Sequence, residues 1–234
     1  MNLSRNEILF RIKNSCLKSG RRAEDVCLVA VSKLQSLEAI TALYQQGQRD
    51  FGENYVQEWS KKADHFEKTH NISWHFVGHL QRNKVRQVVG RVQLIHSVDS
   101  LPLAAEISHR ASLRGERQKI LLQVNVSSES SKEGISPDQL KPLLDQILPL
   151  QGISLCGLMT MPPLTDDPES NRKHFSQLRE LLNLNKFVRA EEHPWNQLSM
   201  GTSHDFEVAI EEGSTLIRIG TAIFGERPKK EKSL

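Results

Sequence analysis

Eight short runs rich in β-branched and aliphatic residues alternate with segments of helical period, and no other feature limits the folding of this chain so tightly. The runs are LVAVSK (28–33), RDFG (49–52), WHFVG (74–78), LIHSV (94–98), KILLQVNV (119–126), LCGLMTM (155–161), QLSMG (197–201) and LIRIG (216–220). Between them lie apolar stripes such as Leu37/Ile40/Leu43/Tyr44, Tyr55/Val56/Trp59/Ala63/Phe66, Leu140/Leu143/Leu144/Ile147 and Phe206/Ala209/Ile210. Strands separated by helices pair in parallel, and eight such units in 234 residues predict an α/β fold, a (β/α)8 TIM barrel near the lower end of its size range. A doubly wound open sheet is the alternative, because periodicity alone does not show closure. No GxGxxG follows the first run, which weakens the nucleotide-binding version of that alternative. No repeat, low-complexity segment or linker interrupts the pattern, so residues 1–234 read as one domain.

The ends are simple. Residues 1–20 read as an amphipathic helix with Leu3, Ile8, Ile12 and Cys16 on one face, docked on the body rather than lying on a membrane. Charge is mixed through that segment, which excludes a secretory leader, and no apolar run approaches the roughly 20 residues that span a bilayer. The cysteines, Cys16, Cys27 and Cys156, are odd in number and scattered, so neither a disulfide framework nor a thiolate zinc site is expected, and a reducing cytoplasm fits. A net charge of +3 is too small to imply nucleic acid. The basic segment RNKVRQVVGR (82–91) carries Val85, Val88 and Val89 along one side and reads as the solvated face of a helix; the basic tail (227–234) includes an acid. Neither has the interleaved aromatics of a single-strand binder.

In such barrels, functional groups sit at the C-terminal ends of strands, and phosphate is often held after strands seven and eight. Lys33 ends the first run. Its ordinary fate would be to snorkel into solvent. Strand eight argues otherwise: if Ile217 and Ile219 pack under helices, Arg218 points into the barrel. A buried guanidinium needs an acceptor, and no run offers an obvious inward Asp or Glu. With Gln123 and Asn125 sharing one face of strand five, the interior reads as a polar ligand site. Two exits then form an anion cradle. LSMGTSHDF (198–206) enters a helix near Ser203, with the Ser199 or Ser203 hydroxyl available, and RIGTAIFG (218–225) offers Gly220 and Thr221. An amine facing a phosphate cradle points to pyridoxal 5′-phosphate (PLP) held by Lys33 as an imine. Asn54 reads either as the cap of a helix, with Gln57 at its third position, or as a cofactor contact. His75 and His79 lie on a strand and its exit without an HExxH, so no metal site is expected.

The segments AVSK, FGENYVQE, WHFVGHLQRNKV, HSVDS, QVNVSSESSKEG, GLMTM and LSMGTSHDFEVAIEEGSTLIRIGTAIFG resemble the pyridoxal phosphate homeostasis proteins, single-domain relatives of the alanine-racemase-type, fold-type III barrel. The resemblance runs from about residue 25 to 226. It implies that Lys33 carries PLP as an internal aldimine and that Arg218 faces the pyridine nitrogen. It further implies that Ser199, the Met200–Gly201 backbone, Gly220 and Thr221 surround the phosphate, with Asn54 near the ring. SKLQS (32–36) around the lysine, Thr202 and His204 depart from the family's usual residues.

A fixed cation at the pyridine nitrogen disfavours ring protonation and makes PLP a poorer electron sink. The resemblance places a racemase's second acid/base on another domain, for which this chain leaves no length after strand eight. Tyr44 and Tyr55 lie on helix stripes and read as core. The expectation is therefore a monomeric cytoplasmic PLP carrier that delivers cofactor to apo-enzymes or buffers it, without nucleic-acid or membrane partners. A fold-type III amino-acid racemase is the alternative, and an anion-binding module without PLP is a third reading.

Overall fold

Each of the eight runs forms a strand: β1 (Cys27–Val31), β2 (Asp50–Glu53), β3 (Ser73–Phe76), β4 (Leu94–Val98), β5 (Gln118–Gln123), β6 (Ile153–Met159), β7 (Gln197–Thr202) and β8 (Leu216–Ile219). The computed structural model describes residues 3–67, 71–127 and 133–226. The basic tail 227–234 and residues 128–132 of the QVNVSSESSKEG segment lie outside them. The strands pair in parallel and in chain order, and β1 pairs with both β2 (Ala30 opposite Phe51) and β8 (Val29 opposite Arg218). The sheet therefore closes, which excludes the open doubly wound alternative. Helices α1 (Arg5–Lys18), α2 (Leu37–Gln45), α3 (Val56–Phe66), α4 (Val85–Val88), α5 (Leu101–Ser112), α6 (Leu140–Ile147), α7 (Arg172–Leu184), α8 (Phe206–Glu211) and α9 (Thr221–Phe224) fill the connections.

Alternation along the strands divides the core in two. Phe51, Phe76, Ile95, Ile120 and Leu158 face outward and pack with helix residues such as Trp59, Ile107, Leu144 and Phe175. Val29, Leu94, Leu121, Cys156, Met159 and Leu216 form a separate cluster inside the barrel. A bulge shifts the β5–β6 register between Ile120 and Leu121. Gly157 sits there at φ +153, and a Cβ on it would lie 1.9 Å from the Gln197 carbonyl oxygen, so only glycine fits.

Helix α1 docks as its apolar stripe requires. Ile8, Ile12 and Cys16 pack on Val26 and Leu28 before and in β1, Phe206 and Ile210 of α8, and Ile217 and Ile219 of β8. Ser4 and Glu7 form a capping box at its start, and Arg11 pairs with Glu207. The helix thus covers the join between the first strand and the last. In the 82–91 segment, Val85, Val88 and Val89 are buried while Arg82 and Arg86 are exposed, so its charges are a solvated face.

Four expectations change in detail. Lys33 stands two residues beyond the end of β1, not on the strand. Asn125 lies beyond β5, which ends at Gln123, and its carboxamide oxygen accepts from the Ser127 hydroxyl at 2.9 Å. Helix α8 begins at Phe206, three residues later than Ser203, since the intervening turn is spent on hydrogen bonds described below. Tyr55 is 52% exposed, while Tyr44 is partly buried on the core with the Arg49 guanidinium 4.0 Å from its ring centroid.

Candidate functional site

At the C-terminal mouth of the barrel, a cavity of about 240 Å3 is lined by Lys33, Asn54, Ser203, Arg218, Gly220 and Thr221, with His204 at its edge. Five of the eight residues singled out from the sequence therefore meet in one place, from the exits of β1, β2 and β8. The other three do not line it. Ser199 is fully buried inside the barrel, where its hydroxyl accepts from Arg218. Met200 turns its side chain into the outer core, and its carbonyl accepts from the Ser214 hydroxyl at 2.7 Å. Gly201, at φ +91, packs β7 onto α8: a Cβ there would come within 2.6 Å of the Ala209 Cβ.

Ser203, the other hydroxyl at the exit of β7, lines the cavity. Its Oγ accepts from the backbone N–H groups of Gly220 (3.2 Å) and Ala222 (3.1 Å), which ties the exit of β7 to that of β8. With its acceptor sites engaged, its own proton is the group left to give. The buried carboxylate of Asp205 shapes the turn before it. Asp205 Oδ1 accepts from the Thr202 N–H (2.7 Å) and hydroxyl (3.0 Å), and Oδ2 from Asn171 Nδ2 (2.9 Å). A Cβ on Gly220 would meet nothing closer than 3.6 Å, so the space before that backbone belongs to the cavity and not to a neighbouring side chain.

Arg218 is 4% exposed and lines the same cavity from inside the barrel, as strand alternation requires. Its Nη2 donates to the Thr160 carbonyl at 2.8 Å and meets Met161 Sδ at 3.1 Å; its Nη1 donates to Ser199. Burial lowers its pKa to about 10, with the Asp205 carboxylate acting in the opposite sense, so the guanidinium remains a cation at neutral pH.

Asn54 is not a helix cap. Tyr55 holds the position before α3, without a side-chain cap bond, and Asn54 Oδ1 is buried with no hydrogen-bond partner among the described residues. A buried carbonyl oxygen left in this state is costly.

Behind Lys33 lies an ion cluster that sequence reading missed. Lys62 of α3 donates to the Ser32 carbonyl (2.6 Å), Glu53 Oε1 (2.7 Å) and Glu58 Oε1 (2.6 Å). The Ser32 hydroxyl donates to Glu53 Oε1 at 2.6 Å, and the Leu34 N–H donates to Glu58. Both neighbours of Lys33 are thereby fixed, and Leu34 is held at φ +62, a conformation uncommon for leucine. Burial raises the Glu53 pKa against the pull of Lys62 and Ser32.

His75 points into the barrel, its Nδ1 2.9 Å from His96 Nε2, whereas His79 lies outside near Glu133 (3.7 Å). No group of side chains able to hold a metal ion occurs among the described residues. A second cavity of about 600 Å3 adjoins the first and shares Asn54, Val77 and Met161 with it.

Residues 9–228 match the family described as alanine racemase, N-terminal domain. A pyridoxal phosphate homeostasis protein of Aquifex aeolicus is 44% identical over 222 residues, covering 95% of this chain and 96% of its own. A solved structure of PipY from Synechococcus elongatus PCC7942, with PLP bound, is 36% identical at a TM-score of 0.80, covering 93% of this chain and all of that one. Alanine racemase from Corynebacterium glutamicum shares the fold at a TM-score of 0.69 and 13% identity, with 94% of this chain and 61% of that one covered.

Proposed function

This chain belongs to the pyridoxal phosphate homeostasis protein family, and from that premise we propose that it binds PLP, holds it through Lys33, and buffers it or delivers it to apo-enzymes in the cytoplasm. The observation that carries the reading is the meeting of the Lys33 amine and the buried Arg218 guanidinium in one cavity of about 240 Å3. The residues fit the cofactor. Its phosphate would lie against Ser203, Gly220 and Thr221, where backbone room and a hydroxyl proton are available. Asn54 lines the same cavity. Arg218 would face the ring nitrogen.

When bound, PLP supplies an aldehyde and an electron-withdrawing ring. The rest of the chemistry belongs to the protein. Lys33 provides the tethering amine, and the Lys62–Glu53–Glu58 cluster fixes the backbone on either side of it. Arg218 keeps its positive charge at the base of the cavity, which disfavours a proton on the ring nitrogen. That arrangement suits retention and release more than carbanion chemistry. No helix among the described residues is long and apolar enough to cross a membrane. In this reading the protein acts as a monomer.

The test begins with the visible absorption spectrum of purified protein incubated with PLP, then borohydride reduction and peptide mapping. A band lost on reduction, with the adduct on Lys33, is the expected result; no band with excess PLP would overturn the cofactor reading. Transfer of bound PLP to an apo-enzyme tests delivery, and failure under all conditions would remove that part. One observation favours an enzyme instead: the His204 imidazole borders the cavity and offers an acid/base there. Solvent deuterium entering the α-position of an amino acid at a useful rate would establish that reading.

A further inference from the structure

Arg218 is the upper end of a hydrogen-bonded chain that runs down the inside of the barrel. Its Nη1 donates to Ser199 Oγ. Ser199 Oγ lies 2.8 Å from His96 Nδ1, and His96 Nε2 lies 2.9 Å from His75 Nδ1. His75 Nε2 then lies 3.2 Å from Asp50 Oδ1. The five groups come from β8, β7, β4, β3 and β2 in turn, and Asp50 is the first residue of its strand, at the opposite mouth. The chain crosses an interior otherwise lined by Val29, Leu94, Leu121 and Met159. Polar groups are costly there unless every one is satisfied.

Only one direction satisfies all of them. A guanidinium donates and never accepts, so Ser199 Oγ receives the Arg218 proton and must send its own elsewhere. His96 Nδ1 is the acceptor in reach, which leaves the His96 proton on Nε2. That proton goes to His75 Nδ1, so His75 in turn carries its proton on Nε2 and gives it to the Asp50 carboxylate. Burial, with the nearby His75 and Arg218, holds the His96 pKa well below its ordinary range, so the ring stays neutral as this pattern needs. A cation at one mouth and a carboxylate at the other are thus joined through three neutral groups, each with its tautomer or rotor fixed by the next.

We propose that His96 is a positioning residue for Arg218, acting through the Ser199 hydroxyl, and that His75 and Asp50 fix the tautomer in which it does so. Without the His75 acceptor, His96 is free to carry its proton on Nδ1. Ser199 would then face two donors, His96 and Arg218, with its own proton left without the acceptor it now uses, so its hold on Arg218 Nη1 weakens while the Thr160 carbonyl keeps Nη2. The inference rests on the PLP reading for what Arg218 faces, but the arrangement of the chain does not depend on cofactor.

Two measurements on the full-length protein separate these. Nitrogen NMR without PLP reports the His96 and His75 tautomers and the rotation of the Arg218 guanidinium about its Nε–Cζ bond. The expected wild-type result is both rings protonated on Nε2 and a hindered guanidinium. His96→Leu and His75→Phe should each speed that rotation, with Nη2 still held by the Thr160 carbonyl, whereas His96→Asn, which keeps an acceptor near the Nδ1 position, should restore much of the hindrance. With PLP bound, release is expected to be about tenfold faster or more in His96→Leu, the size of a lost hydrogen bond to a charged group. His96 protonated on Nδ1 in the wild type would overturn the proposal. So would Arg218 rotation unchanged in both His96→Leu and His75→Phe. If wild-type protein takes up no PLP, the cofactor reading fails while the NMR result still decides the chain.

Discussion

Replacing Lys62 with methionine is expected to lower the unfolding free energy by about 3–5 kcal/mol, because it leaves buried carboxylates without their counter-ion. Lys62 and Glu53 have side chains 6% and 0% exposed, and Glu58, the third member, is 23% exposed. Glu53 already has one oxygen, Oε2, without a partner, so removal of the ammonium leaves a single hydroxyl bond to support its charge. Methionine fills a similar volume, which confines the loss to charge and hydrogen bonding. Urea unfolding would measure it as a lower midpoint at unchanged slope. Glu53→Gln is expected to cost less, since it removes a buried charge while an oxygen remains for Ser32 and Lys62. A Lys62→Met loss under about 1 kcal/mol would mean that the cluster is solvated and does not fix the turn around Lys33.

Lys33→Ala should abolish the reducible PLP adduct completely while leaving weaker, reversible uptake through Arg218, Ser203, Gly220 and Thr221. Mass spectrometry after borohydride treatment reads the first effect, and equilibrium dialysis the second. Two other lysines are informative as competitors for the label. Lys62 is buried against three acceptors, while Lys84 lines the adjoining larger cavity. An adduct of wild-type yield on Lys84 in the variant would show that the tether had been assigned to the wrong amine.

The barrel was legible because strand and helix periods are set locally, residue by residue. The stripes Leu140/Leu143/Leu144/Ile147 and Phe206/Ala209/Ile210 are buried throughout. Arg218 was legible for the same reason: two flanking isoleucines facing helices leave it no other side of the strand. The ion cluster was hidden by an error of one residue and by a bias. Ending strand two at Gly52 left Glu53 out of the sheet, and a stripe read only for apolar residues passes over Lys62, although it lies three residues from Trp59 on the buried face. Ser199 was found, but its role depends on the face of β7 it occupies, and a register shift between β7 and β8 makes that face unreadable from spacing. His75 and His96 come together only across β3 and β4, where pairing is a tertiary fact. A sequence motif can pair His75 with His79 but not with His96.

The cavity also straddles the join that α1 covers, and this bears on the order in which the protein is made. The Lys33 side is synthesised with the first strand, but Arg218, Gly220 and Thr221 leave the ribosome long after it. Until β8 pairs with β1, a nascent chain carries the Lys33 amine without the residues that line the cavity opposite it, so it has little means of trapping cofactor prematurely. Closure is a contact between parts far apart in the sequence, a slow kind to form. A ligand that binds only the closed ring draws the folding equilibrium toward it by mass action. The cofactor would therefore act as the final fastener of the barrel that holds it.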